Sequence, residues 1–486
     1  METILQLQPA LVWKNFHFLA RIPRPSGREA EVREFIRDFS EKLGLETHVD
    51  DAGNVIVRKP ATPGMENRQG VVLQAHLDMV PQKNSGKVHD FCRDPIETIV
   101  DGEWVRADGT TLGADNGIGV AAALAVLESG DLRHGPIEVL LTVDEESGMS
   151  GASGLQPGFL RGNILMNLDS EDEGELFIGC AGAVNAAFFF PYVAETLPYG
   201  YQGFRLAVTG LKGGHSGMDI NLGRGNANKV MNRLLHRAYL RHGIRLASID
   251  GGSLRNAIPR EAFAHIAVLR EKTEAFLEDV RSLGETIKKN ELFSADPGLT
   301  IDLSPSALPD AAIDESTFSR LLKALHACPD GVMRMSADMQ GLVETSNNLA
   351  IVKSRPGGIA IECLLRSSVD SSRDDLQLAI QCLFDLAGAS CSFSGGYPGW
   401  KPDRGSSILK TMREVYEKTF GENARVSAVH AGLECGLIGA AYPRLDMISF
   451  GPTIRHPHSP GEKVHIGSVA RFWKFLVETL ECIPVG

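Results

Sequence analysis

Short runs of Val, Ile and Leu recur along the chain, and polar residues or turns bound each of them. Such runs are typical of the buried strands of a largely parallel sheet. Four runs lead to side chains that can bind a metal: VVLQA to His76, IEVLLTV to Asp144-Glu145-Glu146, ILMNL to Asp169, and MISFGPT towards His458. Because ligands of such sheets bind at the carboxyl ends of the strands, the pattern predicts a metal site there.

Helical periodicity places the first helix after the segment PRPSG. We expect Ser26 to cap this helix together with Glu29, three residues later, and Gly44 to end it. Further helices are predicted in IGVAAALAVLES and near ASGLQPGFL. Strands and helices therefore alternate up to about residue 182.

The pattern changes to α+β, with strands and long helices, from about residue 183. In this region SLRNAIPREAFAHIAVL weakly resembles NNLAIVKSRPGGIAIECLL, and a helix follows each, which predicts two related sub-units. The α/β pattern returns after residue 395, and a chain of 486 residues exceeds the size of a single core. We predict an α/β fold with two domains. Residues 1–182 and 396–486 form one, with a mostly parallel central sheet flanked by helices, and residues 183–395 form an inserted α+β domain.

Composition narrows the class of protein. A net charge of -12 and the lack of a long basic run argue against nucleic acid and anionic membranes as partners. The N-terminal segment METILQLQPALVWKNF does not fit a secretory signal, and no apolar stretch is long enough to span a bilayer, so we expect a cytoplasmic location. The eight cysteines are scattered without CxxC pairs, which favours free thiols over disulfides or thiolate metal ligands.

The spacing of the candidate ligands favours a site for two metals. His76 and Asp78 lie on the same side of an extended segment, so that the carboxylate can orient the histidine. Asp115 lies in the Gly-rich turn LGADNGIGVA, where little side-chain bulk hinders its approach to a metal. Glu145 and Glu146 point different ways, so that one can bind metal while the other handles a proton. Oxygen and nitrogen ligands without sulfur suit two divalent ions bridged by one carboxylate.

Six motifs, in this order, carry a specific resemblance: HLDMV, GADNGIGVA, DEESGMSGA, NLDSED, GGHSGMD and HPHSPGEKV. Over essentially the whole chain the sequence resembles the M20 family of dinuclear zinc peptidases, and in particular its aminoacyl-histidine dipeptidase branch. The resemblance implies two divalent metal ions per chain, zinc first and cobalt or manganese as alternatives. It also implies an unblocked dipeptide substrate with histidine second, including β-alanyl-histidine (carnosine), an inserted domain that acts as a lid, and a homodimer formed through that lid.

The resemblance also implies the metal ligands, residue by residue. His76 and Asp169 would bind one metal, Glu146 and His458 the other, and Asp115 would bridge the two. The peptide bond after Asp115 would be cis. The neighbouring histidine of HPHSP is not chosen, because the family's motif is His-Ser-Pro.

The remaining site residues are implied in the same way. Glu145 would be the general base, and Asp78 would support the first ligand histidine. His215, in GGHSG, matches the lid histidine that stabilises the developing oxyanion, from its own chain or from a dimer partner. Asn256 and Arg366 match the lid residues that bind the carboxylate end of the substrate. As structural alternatives, His215 would be an ordinary turn histidine and Arg366 would solvate the end of a strand.

Other functions stay open at this point. The chain could be another M20 amidohydrolase, such as a tripeptidase or a deacylase, or a non-catalytic descendant that only binds, although the complete set of ligands and base favours an enzyme. LGADNGIGVA also resembles the nucleotide loop of short-chain dehydrogenases, and Tyr397 and Lys401 have the matching spacing. Pro398 and Gly399 break the helix that this pair requires, and Asp115 would face a pyrophosphate, which argues against that alternative.

Overall fold

The computed structural model describes residues 3–486, which divide into two compact units. The first unit comprises the chain up to Cys180 together with Trp400–Ala428 and Leu433–Gly486, and the second comprises Ala181–Gly399 and Val429–Gly432. The sequence places the boundaries at 182/183 and 395/396, close to those of the structure. The structure differs in assigning the short segment 429–432 to the second unit.

Three stretches of chain supply the helices and strands. Up to Cys180 these are α1 (Ala10–Ala20), α2 (Ala30–Lys42), β1 (Glu46–Val49), β2 (Val55–Lys59), β3 (Val71–His76), β4 (Thr98–Asp101), β5 (Trp104–Ala107), α3 (Ala114–Glu128), β6 (Ile137–Thr142), α4 (Ser150–Gly154), β7 (Ile164–Asn167) and β8 (Glu175–Cys180). The middle stretch forms β9 (Gly182–Pro191), β10 (Ala194–Thr196), β11 (Tyr201–Thr209), β12 (Gly214–His215), α5 (Ala227–His242), β13 (Arg245–Gly251), β14 (Ala257–Ile258), β15 (Ala262–Leu269), α6 (Thr273–Thr286), β16 (Thr300–Ser306), β17 (Ala311–Ile313), α7 (Glu315–Ala327), β18 (Gly331–Met335), β19 (Val343–Arg355), β20 (Gly358–Ser367), α8 (Asp370–Leu386) and β21 (Ser390–Tyr397). The last stretch forms α9 (Ser407–Phe420), β22 (Arg425–Val429), α10 (Glu434–Ala441), β23 (Asp446–Ser449), β24 (Ile454–Arg455), β25 (Lys463–His465) and α11 (Ile466–Cys482).

An eight-stranded sheet forms the centre of the first unit, in the order β1-β2-β6-β3-β7-β23-β8-β22. Its four middle strands, β6, β3, β7 and β23, run parallel, and β1 and β2 on one side and β8 on the other are antiparallel to their neighbours. Every residue of β3, β6 and β7 is buried, which explains their continuous apolar runs. These four middle strands are the predicted ones, so the predicted α/β fold is confirmed, with parallel pairing in the middle of the sheet and antiparallel strands towards its edges.

The start of the chain departs from the prediction. The first helix is α1, whose buried Val12, Trp13, Phe16 and Leu19 follow helical spacing. The predicted helix is therefore the second one, α2, and Ser26 does not cap it, because its hydroxyl donates to a distant carboxylate. The predicted end of this helix at Gly44 is confirmed, since α2 ends at Lys42 and Gly44 has φ of 70°. The helix predicted near ASGLQPGFL is only the short α4.

The second unit is built around a nine-stranded sheet with two equivalent halves. One half has the strand order β16-β11-β15-β13, and the other has β21-β9-β20-β19, with β18 added at β19. Both halves follow the β-α-β-β-α-β order of ferredoxin-like folds, with helices α5 and α6 in one and α7 and α8 in the other. The halves join where β13 pairs with β19. The two related sub-units predicted from the sequence are thereby confirmed.

No helix in residues 3–486 combines the length and the apolar character that a membrane crossing requires.

Candidate metal centre and candidate substrate-binding residues

The predicted ligands come together at one edge of the sheet of the first unit. His76 is the last residue of β3, Glu145 and Glu146 follow β6, and Asp169 follows β7, so these residues leave the carboxyl ends of three adjacent parallel strands. Asp115 lies at the start of α3, and His458 lies in the loop between β24 and β25. The sheet order therefore explains why residues far apart in sequence meet here.

Asp115 lies between two imidazole rings. Its Oδ1 is 3.1 Å from Nε2 of His76, and its Oδ2 is 3.1 Å from Nε2 of His458. Each ring nitrogen faces a second carboxylate as well: Asp169 Oδ1 lies 3.3 Å from His76 Nε2, and Glu146 Oε2 lies 3.0 Å from His458 Nε2. The result is two triads of one imidazole and two carboxylates, and the two triads share Asp115.

The donor atoms of these residues fit two divalent metal ions. Three sets of donor atoms lie within 4.8 Å of one another: His76, Asp115 and Asp169; His76, Glu145 and Glu146; and Asp115, Glu146 and His458. Nitrogen and oxygen donors without sulfur suit borderline divalent ions. Moreover, Oε1 of Glu146 is buried and has no hydrogen-bond partner among the described residues. A buried acceptor without a partner is costly unless a cation binds it.

The electrostatics of the group are those of a site that attracts cations. Asp115 and Glu146 beside His458 outweigh its burial and raise its pKa to about 11. Burial opposes the charge on His76, but the neighbouring Asp169 and Asp115 overcome this effect and raise the pKa of His76. Both histidines are thus held in a strongly negative environment, which favours positive charge at these positions.

Glu145 differs from its neighbour Glu146 in its surroundings. Both contribute an oxygen to a group that includes His76, but Glu146 belongs to one of the two triads around Asp115, and Glu145 belongs to neither. Burial, reinforced by the nearby negative charge of Asp169, raises the pKa of Glu145. A buried carboxylate with a raised pKa binds a proton more readily than an exposed one, which suits a group that accepts and returns a proton.

Asp78 connects His76 to the loop that carries Glu145 and Glu146. Nδ1 of His76 lies 3.2 Å from the carbonyl oxygen of Asp78 and 3.4 Å from its Oδ1, which leaves Nε2 free to face the candidate metal centre. The same carboxylate accepts the backbone N–H groups of Glu145 and Glu146 at 3.0 and 3.1 Å, and the hydroxyl of Ser26 at 2.8 Å. Burial works against its charge, but the bonds from His76 and Ser26 lower the pKa of Asp78 to about 2.

The backbone is unusual at two of the candidate ligands. The Asp115–Asn116 peptide bond is cis, as predicted. His458 has φ of 57°, in the left-handed region that costs a residue other than glycine roughly 1–3 kcal/mol. The Asn116 side chain donates to the carbonyl of Leu168 at 2.9 Å and also to the carboxylate of Asp169, so it positions a ligand that the sequence already indicated.

A buried chain of polar side chains crosses the middle strands directly behind the ligands. Ser449 donates to Asn167 at 2.5 Å, Asn167 donates to Gln74 at 2.5 Å, and Gln74 donates to Glu434 at 2.6 Å. Thr142 also donates to Glu434, at 2.7 Å. Gln74 and Asn167 each precede a ligand by two positions, so this network fixes the strands from which the ligands emerge.

Sequence reasoning missed this network and two charged residues, Arg24 and Glu462, that contact the loop before α3. Glu462 belongs to the motif HPHSPGEKV, and Arg24 belongs to PRPSG. In the sequence, the polar network is indicated only by a polar residue inside an otherwise apolar strand, such as Gln74, and the two charged residues only by their position within a site motif. Neither feature shows which residue the side chain contacts.

In the second unit, His215 is held as a neutral hydrogen-bond donor. It lies on β12, where it pairs with Ala257 of β14, and its Nδ1 accepts the N–H groups of Gly217 and Met218 at 3.2 and 3.0 Å. Nε2 must then carry the proton. Burial, together with the positive charge of Arg366, lowers the pKa of His215 to about 4, so the ring stays uncharged near neutral pH.

Arg366 and Asn256 occupy different surroundings within the second unit. Arg366, on β20, is 5% exposed, and its guanidinium donates to the hydroxyls of Ser216 at 3.4 Å and Tyr397 at 3.2 Å. Among the described residues no carboxylate forms an ion pair with it, so a buried positive charge is left for an anion. Asn256 is exposed, and its carbonyl accepts the N–H of Ser216 at 2.8 Å.

Comparison with known proteins gives a consistent result. The family model of peptidase family M20/M25/M40 matches residues 72–481. The chain is 47% identical over 484 residues, covering 100% of both sequences, to the cytosol non-specific dipeptidase of Escherichia coli (strain K12). The crystal structure of aminoacylhistidine dipeptidase from Vibrio alginolyticus has a TM-score of 0.94, with 47% identity and coverage of 100% of this chain and 99% of that chain. A tripeptidase from Staphylococcus aureus shares the fold, with a TM-score of 0.57, 15% identity and coverage of 98% and 99%.

Proposed function

This chain belongs to peptidase family M20/M25/M40, and we propose that it hydrolyses unblocked dipeptides with two divalent metal ions. The observation that carries the proposal is the pair of triads that share Asp115, with Glu145 beside them. The near-full-length relatives named dipeptidases support the substrate class.

We assign the metal ligands as follows. His76 and Asp169 would hold one ion, Glu146 and His458 would hold the other, and Asp115 would contribute to both. Zinc is the proposed metal, with cobalt and manganese as alternatives, because the donors are imidazole nitrogens and carboxylate oxygens. When bound, the two ions polarise the peptide carbonyl and lower the pKa of a water molecule.

Glu145 is the proposed general base. Its carboxylate accepts the proton of the attacking water and returns that proton to the departing amine, which its raised pKa favours. Asp78 holds His76 and the loop of Glu145 in place through the hydrogen bonds described above. The base and the first ligand are thus oriented by one side chain.

The second unit supplies the proposed substrate contacts and acts as a lid. His215 donates its Nε2–H to the carbonyl oxygen as negative charge develops there, and its pKa of about 4 keeps the ring neutral with the proton on that nitrogen. Arg366, a buried cation without a carboxylate partner among the described residues, binds the carboxylate of the dipeptide, and Asn256 assists at the same end. This contact restricts substrates to peptides with a free carboxyl end.

Four finer points belong to the proposal. Histidine at the second position of the dipeptide, as in β-alanyl-histidine, is favoured because one relative is an aminoacylhistidine dipeptidase. We propose a homodimer through the second unit, where β16 and β21 form the outer edges of the sheet and offer strands for pairing. The cytoplasm is the proposed location, since the Escherichia coli relative is named a cytosol dipeptidase. The first unit is the catalytic domain and the second is the lid and dimerisation domain.

A panel of dipeptides tests the substrate class. The purified zinc-loaded protein is assayed with Xaa-His dipeptides, β-alanyl-histidine, other dipeptides, one tripeptide and one acetylated amino acid. We expect hydrolysis of the dipeptides, with the highest kcat/KM for those ending in histidine. Faster turnover of the tripeptide or of the acetylated amino acid would contradict the proposal.

A further inference from the structure

The loop that precedes α3 is bound by a single buried carboxylate. Oε2 of Glu462 accepts the backbone N–H groups of Leu112 and Gly113 at 2.7 and 3.0 Å, and Oε1 accepts those of Ala114 and Asp115 at 2.7 and 3.2 Å. Glu462 is only 2% exposed. Four consecutive backbone donors therefore converge on one side chain, and the last of them belongs to the residue between the two imidazoles.

A buried guanidinium binds the same loop. Nη2 of Arg24 donates to the carbonyl of Gly113 at 2.6 Å, while Nη1 donates to the carbonyls of Leu77 and Asp78 at 2.8 and 3.0 Å. Arg24 is 2% exposed. Gly113 has φ of 69°, and a Cβ there would lie 2.7 Å from Nη2, so only glycine permits this approach.

Together these two residues connect three segments that carry candidate ligands. Arg24 joins the segment after His76 to the loop before Asp115. Glu462 joins that loop to the segment of His458, which precedes it by four positions. Both side chains are almost fully buried, so the hydrogen bonds that each forms are needed to offset the loss of solvent around its charge.

We propose that Arg24 and Glu462 are positioning residues that hold Asp115 between His76 and His458, so that binding of the metal pair depends on them. This inference rests on the proposed metal centre. A neutral side chain cannot replace Glu462, because glutamine offers one acceptor oxygen and turns an NH₂ group towards backbone donors. Lysine cannot replace Arg24, since one ammonium cannot span three carbonyls as the planar guanidinium does.

Glu462→Gln tests the inference, with Glu138→Gln as its matched control. Glu138 is also a buried carboxylate of the first unit that accepts two backbone N–H groups, those of Arg161 and Gly162, but it lies near the start of β6 and away from the ligands. Each protein is stripped with a chelator and titrated with Zn²⁺ in competition with a chromophoric chelator, and its unfolding temperature is recorded. Loss of a group that orients metal ligands costs about 10- to 100-fold in metal affinity.

We expect Glu462→Gln to bind zinc at least about tenfold more weakly than the wild type, and Glu138→Gln to match the wild type in zinc affinity. Arg24→Lys and Glu462→Asp should show the same loss, and they decide the matter if Glu462→Gln does not fold. Wild-type zinc affinity in the folded variants would overturn the positioning role of Arg24 and Glu462 and leave the proposed metal centre intact. A wild-type protein that binds no zinc would overturn the proposed metal centre as well.

Discussion

Replacing Glu145 with glutamine separates proton transfer from metal binding. The substitution preserves the shape of the side chain, and the backbone N–H that donates to Asp78 is unaffected. Both triads around Asp115 remain, because their second carboxylates are those of Asp169 and Glu146 and not that of Glu145. The variant should therefore bind two metal ions and lose only the base.

The expected size of the effect follows from the role of the residue. A general base contributes roughly 10²- to 10⁴-fold, which corresponds to about 2.7–5.4 kcal/mol of activation free energy at 1.36 kcal/mol per tenfold. Because burial strengthens Glu145 as a base, we expect a loss of kcat in the upper half of that range, with KM changed little. Arg366, which is proposed to bind the carboxylate of the substrate, is untouched by the substitution.

The assay measures hydrolysis of one dipeptide and zinc content by elemental analysis in wild type, Glu145→Gln and Glu138→Gln. The control changes another glutamate at the opposite end of β6 and should keep wild-type kcat. Glu145→Gln with two zinc ions and full activity would refute the assignment of the base. A variant that loses zinc would instead show that Glu145 is a ligand.

Three further predictions address the second unit. Mixing His215→Ala subunits with Glu145→Ala subunits should restore activity only if His215 acts on the partner's substrate, and no recovery despite proven subunit exchange would place its action within its own chain. Arg366→Met should raise KM for a free dipeptide by at least about tenfold, as expected for the loss of a charge-assisted bond worth roughly 1.5–3 kcal/mol. The wild type should have a higher KM for a dipeptide amide than for the free dipeptide, and this difference should disappear in the variant. Equal KM values for the two substrates in the wild type would contradict this role. Burial raises the pKa of Asp330 to about 6 in the folded protein. The folded state therefore keeps a proton that the unfolded state has already lost, so the free energy of unfolding falls as pH rises from about 4 through 6. Asp330→Asn keeps the Oδ1 that accepts both hydrogen bonds, and in urea unfolding it should gain stability over wild type at pH 8 relative to pH 5; an equal difference at both pH values would refute this.

The sequence was sufficient to predict that the candidate metal ligands meet, because these residues are marked locally. His76, Asp169 and Glu145-Glu146 each follow a buried apolar run, and parallel strands must bring their carboxyl ends to one edge. The equivalent halves of the second unit were also visible, as weak similarity between segments around β15 and β20. In both cases the feature can be predicted from short stretches of sequence, without knowledge of tertiary contacts.

The features that sequence reasoning missed depend on contacts between distant parts of the chain. Glu462 binds a loop about 350 positions away, and nothing in its own surroundings in sequence names that partner. Serine is a preferred helix-capping residue, yet the hydroxyl of Ser26 donates a hydrogen bond to Asp78 instead. Local capping rules describe preferences, and a tertiary partner overrides them.

The proposal that two metal ions sharing Asp115 are needed for activity is tested most directly by measuring metal stoichiometry and activity together. Chelator-treated protein is titrated with Zn²⁺ while hydrolysis of a dipeptide is followed, for the wild type and for Asp115→Ala, which removes the carboxylate shared by both triads. We predict that wild-type activity is abolished by chelation and is complete at two equivalents of zinc per chain, whereas Asp115→Ala binds less zinc and stays inactive. Full activity in the chelated protein, or undiminished zinc content in Asp115→Ala, would contradict the account.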